Sequence, residues 1–96
     1  MTILVRFPVE GLTRQQHDEV SRRLEERGAW PPEGLLLHVL FGTEGDLKVS
    51  EMWESPEHLA AQSSQLLPAL SEAGVKMVGE PEVFQVHAVE QPQTMA

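Results

Sequence analysis

From Thr2 to Val9 the chain alternates, with Ile3, Val5, Phe7 and Val9 on one side and Leu4 and Arg6 on the other. A period of two is the mark of a half-buried strand. Pro8 has no amide hydrogen to donate, so it belongs near that strand's end or at a sheet edge. The period then changes. Thr13 is followed three residues later by Gln16, which is a capping box, and a helix is expected from Arg14 to Arg27. Its apolar positions are few: Val20, Leu24 and the half-apolar His17. So narrow a stripe covers a sheet on one side and faces water on the other. Gly28 suits the residue after the helix end.

Pro31 and Pro32 bar helix from the next connector. Leu35 to Phe41 reads LLLHVLF and is apolar at both alternating sets, with His38 between Leu36 and Leu40. Such a strand expects cover on both faces. Glycines and acids over 42–46 make a hairpin turn. The returning strand, Leu47 to Glu54, puts Leu47, Val49, Glu51 and Trp53 on one face and Lys48, Ser50 and Met52 on the other. Ser55, Pro56 and Glu57 then start a second helix, as cap, first-turn proline and first-turn acid. Leu59, Ser63, Leu66, Leu67 and Leu70 are its stripe, and Pro68 is expected to break or kink it near 65–67. A last strand is expected over Glu82 to Val89, and a polar, frayed tail over 91–96.

The order is therefore βαββαβ. One four-stranded antiparallel sheet with two helices on one face is the ferredoxin-like α+β arrangement, as a single domain over residues 1–90. Two helices cover one face only. The apolar second face of the sheet then calls for a second copy of the chain, as a homodimer with sheets facing. At 96 residues the core is thin, which favours the same supplement.

Composition narrows the partners. A formal net charge of −8 and scattered basic residues disfavour nucleic acid and anionic membranes. No apolar run approaches the roughly 18–20 residues of a membrane span. Without cysteine there is no disulfide, thiolate nucleophile or cysteine-ligated zinc. The N-terminal stretch is too short and too broken by Arg6 and Pro8 for a secretory segment, so a cytoplasmic location is expected.

The run from Glu33 to Val75, followed by Pro81-Glu82-Val83-Phe84-Gln85-Val86-His87-Ala88-Val89, resembles the dimeric α+β barrel superfamily. That group includes the antibiotic-biosynthesis-type monooxygenases. The resemblance spans residues 2–89, and its most characteristic parts are Gly34 to His38, Trp53-Glu54-Ser55 and Leu67-Pro68. It implies a small, largely apolar cavity between sheet and helices, and a small hydrophobic or aromatic ligand. It does not imply one reaction, because the scaffold hosts oxygenases, decarboxylases, dehydratases, cyclases and plain binders. Haem-degrading relatives use an asparagine, a tryptophan and a helix-borne histidine. This chain has no asparagine, and the position ten residues after Trp53 is Ser63. Cofactor-free quinone-forming relatives lean on asparagine and tyrosine, and both are absent. A cofactor-independent monooxygenase or related enzyme would need other residues; no cofactor is expected. A non-catalytic dimeric ligand-binding or structural protein is the other reading.

The candidate residues follow from chemistry set against pattern. His38, inside an apolar strand, is either a general acid or base in a pocket or a core histidine satisfied by one hydrogen bond. A carboxylate at Glu51, on an apolar face, is costly unless paired, so it either reaches the rim or takes a partner, and a buried histidine–glutamate pair is one such arrangement. These two are the catalytic candidates. Trp53, His17, Trp30 and Arg6 are the substrate-binding candidates. Trp53 ends its strand at the cavity border, as core filling or as one wall of a pocket, and its indole N–H needs a partner if buried. His17 can reach the same space from the first helix. Trp30 can cap the cavity mouth or simply plug it, and Arg6 can bind an acidic group or pair with a neighbouring glutamate. The four histidines, His17, His38, His58 and His87, lack metal-site spacing, so no metal is expected. His58 is expected to be exposed and His87 to be structural or interfacial.

Overall fold

The structure, a computed structural model, describes residues 1–92. Its elements are β1 (Ile3–Leu12), α1 (Arg14–Glu26), β2 (Leu35–Thr43), β3 (Asp46–Trp53), α2 (Pro56–Glu72), β4 (Lys76–Met77) and β5 (Glu82–Gln85). The sheet is antiparallel and runs β2-β3-β1, with β4 and β5 sharing the far edge of β1. This is the ferredoxin-like α+β fold, with its last strand in two pieces. Val9 and Glu10 pair with β4, while Ile3 to Arg6 pair with β5. Pro8 sits at the switch. There β1 loses its register with β3 between Phe7 and Leu12, and the Pro8 carbonyl accepts from the Val78 amide at 2.7 Å. A proline inside a central strand is tolerated because no ladder bond is asked of it.

The first helix begins as its sequence requires. The Thr13 hydroxyl accepts the Gln16 amide at 3.1 Å, and the Gln16 side chain accepts the Thr13 amide at 3.1 Å. The second begins on Ser55, which accepts the His58 amide at 3.2 Å. It does not break at Pro68 but runs on to Glu72. Pro68 and Ser64 both lie on the solvent side, where water can take the carbonyl that Pro68 leaves unbonded. Beyond it Ala69 is fully buried and Leu70 packs on the same cluster, which keeps the last turn in place. Leu67, expected in the buried stripe, is exposed; Gln62 takes a buried place, its amide donating to the Ala29 carbonyl at 3.1 Å. The last strand is shorter than expected, ending at Gln85, and Lys76–Met77 adds a strand that the pattern did not suggest. Residues 93–96 of the expected tail lie outside the described residues.

The core sits between the sheet and the helices. Ile3, Val5 and Trp53 form one cluster with Phe7, Leu35 and Leu59 against them. Val9, Leu12 and Leu47 form a second, while Val20, Leu24 and Ala69 join the two helices. Strict alternation fails in β2. Leu35 faces Trp53 and Leu37 faces Met52, so Leu36 is one residue too many and makes a β-bulge. The bulge puts Leu35, His38 and Leu40 on the helix side. It leaves Leu37, Val39 and Phe41 on the other face with Leu4 and Phe84, all substantially exposed.

Candidate functional site: a histidine–glutamate pair at an apolar cavity

His38 and Glu51 are cross-strand partners on the helix-facing side of the β2–β3 hairpin. Their contact is short, with His38 Nδ1 2.6 Å from Glu51 Oε2. Glu51 is buried, and its other oxygen, Oε1, accepts the Trp53 indole N–H at 3.0 Å. Both oxygens of a carboxylate on an apolar face are thus engaged, which is what its burial demands. Among the described residues every buried side-chain nitrogen and oxygen has a partner.

From α1, His17 reaches down to the same place, its Nε2 2.9 Å from His38 Nε2. The outer ring nitrogen of His17, Nδ1, lies 3.0 Å from Asp18 Oδ1. That carboxyl is held below the usual aspartate range, first by the His17 contact and then by Arg14, whose Nε donates to it at 3.2 Å. Trp30, in the connector after α1, sets its ring edge-on to His38 with centroids 5.2 Å apart.

These side chains stand beside a cavity of about 60 Å³ between sheet and helices. His17, Trp30, His38 and Glu51 contribute to its wall. The rest is apolar apart from Ser21, and includes Val49 from the sheet, Leu24 from α1 and Leu66 from α2. A volume of this order takes a few water-sized groups, not a ring system.

Four sequence candidates therefore converge on one cavity: His38, Glu51, His17 and Trp30. The other two do not. Trp53 is 1% exposed and stands behind Glu51 as a hydrogen-bond donor, not on the cavity wall. Arg6 points to the opposite face of the sheet, in register with Glu82 of β5 and Ser50 of β3, because it follows Val5 by one residue in a strand. His58 is not free in solvent either. It packs on Gly34 and shares a hydrogen bond with the Ser55 hydroxyl at 2.7 Å. His87 is exposed. Sequence reading missed Asp18, whose part follows only from His17 being anchored at both ring nitrogens. It also left unassigned Val75 and Met77, which close one side of the cavity. Among the described residues no group of three or more histidine, cysteine, aspartate or glutamate side chains could hold a metal ion, and no helix is long and apolar enough to cross a membrane.

The same architecture occurs in solved proteins of low sequence identity. A candidate antibiotic biosynthesis monooxygenase from Chloroflexus aurantiacus superposes with a TM-score of 0.58 at 20% identity, covering 94% of this chain and 95% of its own. SnoaB, a cofactor-independent oxygenase from Streptomyces nogalater, gives 0.57 at 19% identity, with 92% and 93% covered. A second candidate antibiotic biosynthesis monooxygenase, from Caulobacter crescentus, gives 0.55 at 22% identity, with 93% and 89% covered. This chain has their fold. No protein-family model and no curated protein matches it. At these identities the likeness concerns the fold alone, so the chemistry has to be argued from this chain's own side chains.

Proposed function

We propose that this protein binds, and through His38 converts, a small hydrophobic or aromatic metabolite in the cavity between sheet and helices, in the manner of an antibiotic-monooxygenase-like protein. The observation that carries the reading is the His38–Glu51 contact of 2.6 Å at the wall of a mostly apolar cavity. A carboxylate on Nδ1 fixes the imidazole so that proton transfer falls to Nε2, which faces His17 Nε2 at 2.9 Å, and a substrate hydroxyl would reach it by taking the place of the His17 ring. SnoaB shares the fold and oxygenates without a cofactor. Activation of a substrate hydroxyl by a positioned base is therefore the role to test for His38. Since the cavity has room for only a few heavy atoms, a ring-sized ligand would enter by displacing Trp30, which lies in the connector rather than in a helix or strand.

The exposed sheet face belongs to the same reading. Leu4 of β1, Leu37, Val39 and Phe41 of β2 and Phe84 of β5 line it as exposed large apolar side chains on one face of one sheet, the kind of patch that marks an interaction surface. A second copy of the chain, placed face to face, is the occupant proposed. It brings the same apolar patch, and one interface closes both.

A non-catalytic reading has one observation in its favour: the polar groups around Glu51 are all satisfied by each other, as in a structural core. The test is a two-dimensional amide NMR titration with small phenols and aromatic ketones, run on the wild type and on His38→Ala. The proposal expects saturable shifts centred on Val49, Leu66 and Met77 in the wild type. It expects oxygen uptake or product only with His38 present. No shift at millimolar ligand would sink it; shifts without any His38-dependent turnover would favour the binding protein.

A further inference from the structure

The hydrogen bonds along Asp18, His17, His38 and Glu51 cannot all be made by two neutral imidazoles. There are three contacts in the line: 3.0 Å from Asp18 to His17, 2.9 Å between the two Nε2 atoms, and 2.6 Å from His38 to Glu51. Each needs one hydrogen. Ionised carboxylates supply none, and a neutral imidazole supplies one. Two neutral rings fill two contacts and leave the third with lone pair against lone pair.

We infer that the His17–His38 pair holds one extra proton across its Nε2–Nε2 contact, and that Asp18 is the outlet of that proton to solvent. The four groups then form a relay from the surface to the cavity. The two ends differ sharply in exposure, 6% for the Glu51 side chain and 58% for Asp18, with His38 at 22% and His17 at 17% between them. Glu51 accepts from Trp53 at its other oxygen, and its 2.6 Å contact with His38 is at the short end for a charge-assisted bond. The other charged group against the line is Arg14, which bonds Asp18 at 3.2 Å and helps keep that carboxyl an acceptor. Trp30 stands near-perpendicular to the His38 ring, at 81°, and adds no charge. When the His17 Nδ1–H bond breaks, one proton passes to Asp18 and water. The pair is then neutral, with His17 Nε2–H donating to His38, and the Asp18 contact is released.

Two imidazoles with facing Nε2 atoms, each anchored at Nδ1 by a carboxylate, also describe paired metal ligands. Distance decides between the two. Nitrogens about 2.0–2.1 Å from a tetrahedral metal stand about 3.3 Å apart, whereas 2.9 Å is an ordinary N–H···N separation. No third ligating side chain joins them among the described residues. The use of the relay in turnover rests on the cavity being reactive; its existence does not.

The experiment is ¹⁵N NMR of histidine-labelled full-length protein at neutral pH, comparing wild type, Asp18→Asn and Glu51→Gln, with the exposed His87 as reference. Either amide can donate one hydrogen, so in each variant two neutral rings complete the line. The wild type should show one ring of the pair protonated at both nitrogens, and each variant should show two singly protonated rings. Asp18 is exposed, so Asp18→Asn remains informative if Glu51→Gln folds poorly. A neutral pair in the wild type, or a doubly protonated ring that persists in Asp18→Asn, overturns the proposal. So does a stoichiometric shift of both Nε2 signals on adding zinc. Ligand titrations are read separately, so an empty cavity and a failed relay remain distinguishable.

Discussion

Replacing Glu51 by alanine tests the site through stability before any substrate is known. The carboxylate is 5% exposed and accepts two donors, the Trp53 indole N–H at 3.0 Å and His38 Nδ1 at 2.6 Å. Alanine leaves the indole donor without an acceptor in a place water does not reach, since Trp53 is 1% exposed. An orphaned buried donor costs roughly 1–3 kcal/mol. His38 is partly exposed and can turn or hydrate, so its loss adds less, about 1 kcal/mol or under. The missing methylene and the space left behind add about 1 kcal/mol more. Against this stands the relief of a desolvated charge, which offsets part of the total. The net expectation is a loss of about 2–4 kcal/mol, or a fall in Tm of roughly 10 °C or more for a domain of this size. Glu51→Gln keeps the shape and one acceptor, and it can donate to His38; it should stay within about 1 kcal/mol of wild type. Urea unfolding followed by tryptophan fluorescence reads both. Alanine within about 0.5 kcal/mol of wild type would refute the reasoning, because the carboxylate would then not be serving two buried donors.

Gly34 has φ +88°, and a Cβ there would collide with the His58 ring, so Gly34→Ala should cost about 2–4 kcal/mol in urea unfolding; an unchanged midpoint would deny the close approach. The Asp18 carboxyl is held low chiefly by His17, so His17→Ala should raise its NMR titration midpoint toward the ordinary aspartate range. A depressed carboxyl stabilises the fold above its unfolded-state midpoint, and that contribution disappears as pH falls through the lower, folded one. The variant should therefore lack that contribution above the ordinary aspartate range, with its gap to the wild type closing as pH falls through the lower wild-type midpoint, and an unmoved midpoint would mean that Arg14 alone sets it. Leu37→Glu puts a charge in the open sheet face and should turn a dimer into a monomer by light scattering, leaving the circular dichroism unchanged; a wild type that is already monomeric at micromolar concentration contradicts the assembly.

Much of this architecture was legible because local and global signals agree. The box of Thr13 and Gln16 and the Ser55-Pro56 start placed the first residue of both helices. His38 and Glu51 stood out as polar residues on apolar faces, and the hairpin register made them neighbours. What was not legible depends on tertiary detail. The bulge at Leu36 changes which residues of β2 face inward, and no composition signal marks it. Pro68 reads as a stop, yet packing of Ala69 and Leu70 against α1 carries the helix through. Trp53 looked like a cavity wall because it ends a strand. It serves Glu51 instead, because residues two apart in a strand share a face. The separation of Arg6 from the site follows from parity alone, and it was available in the alternation of β1.

The measurement that tests the central claim most directly is native mass spectrometry of the gently purified full-length protein, alone and after incubation with the small aromatics that shift its NMR spectrum. The account predicts a dimer that carries one small molecule per subunit, with the bound mass lost in a variant that fills the cavity, Val49→Trp. A monomer that stays empty at every ligand concentration would contradict it.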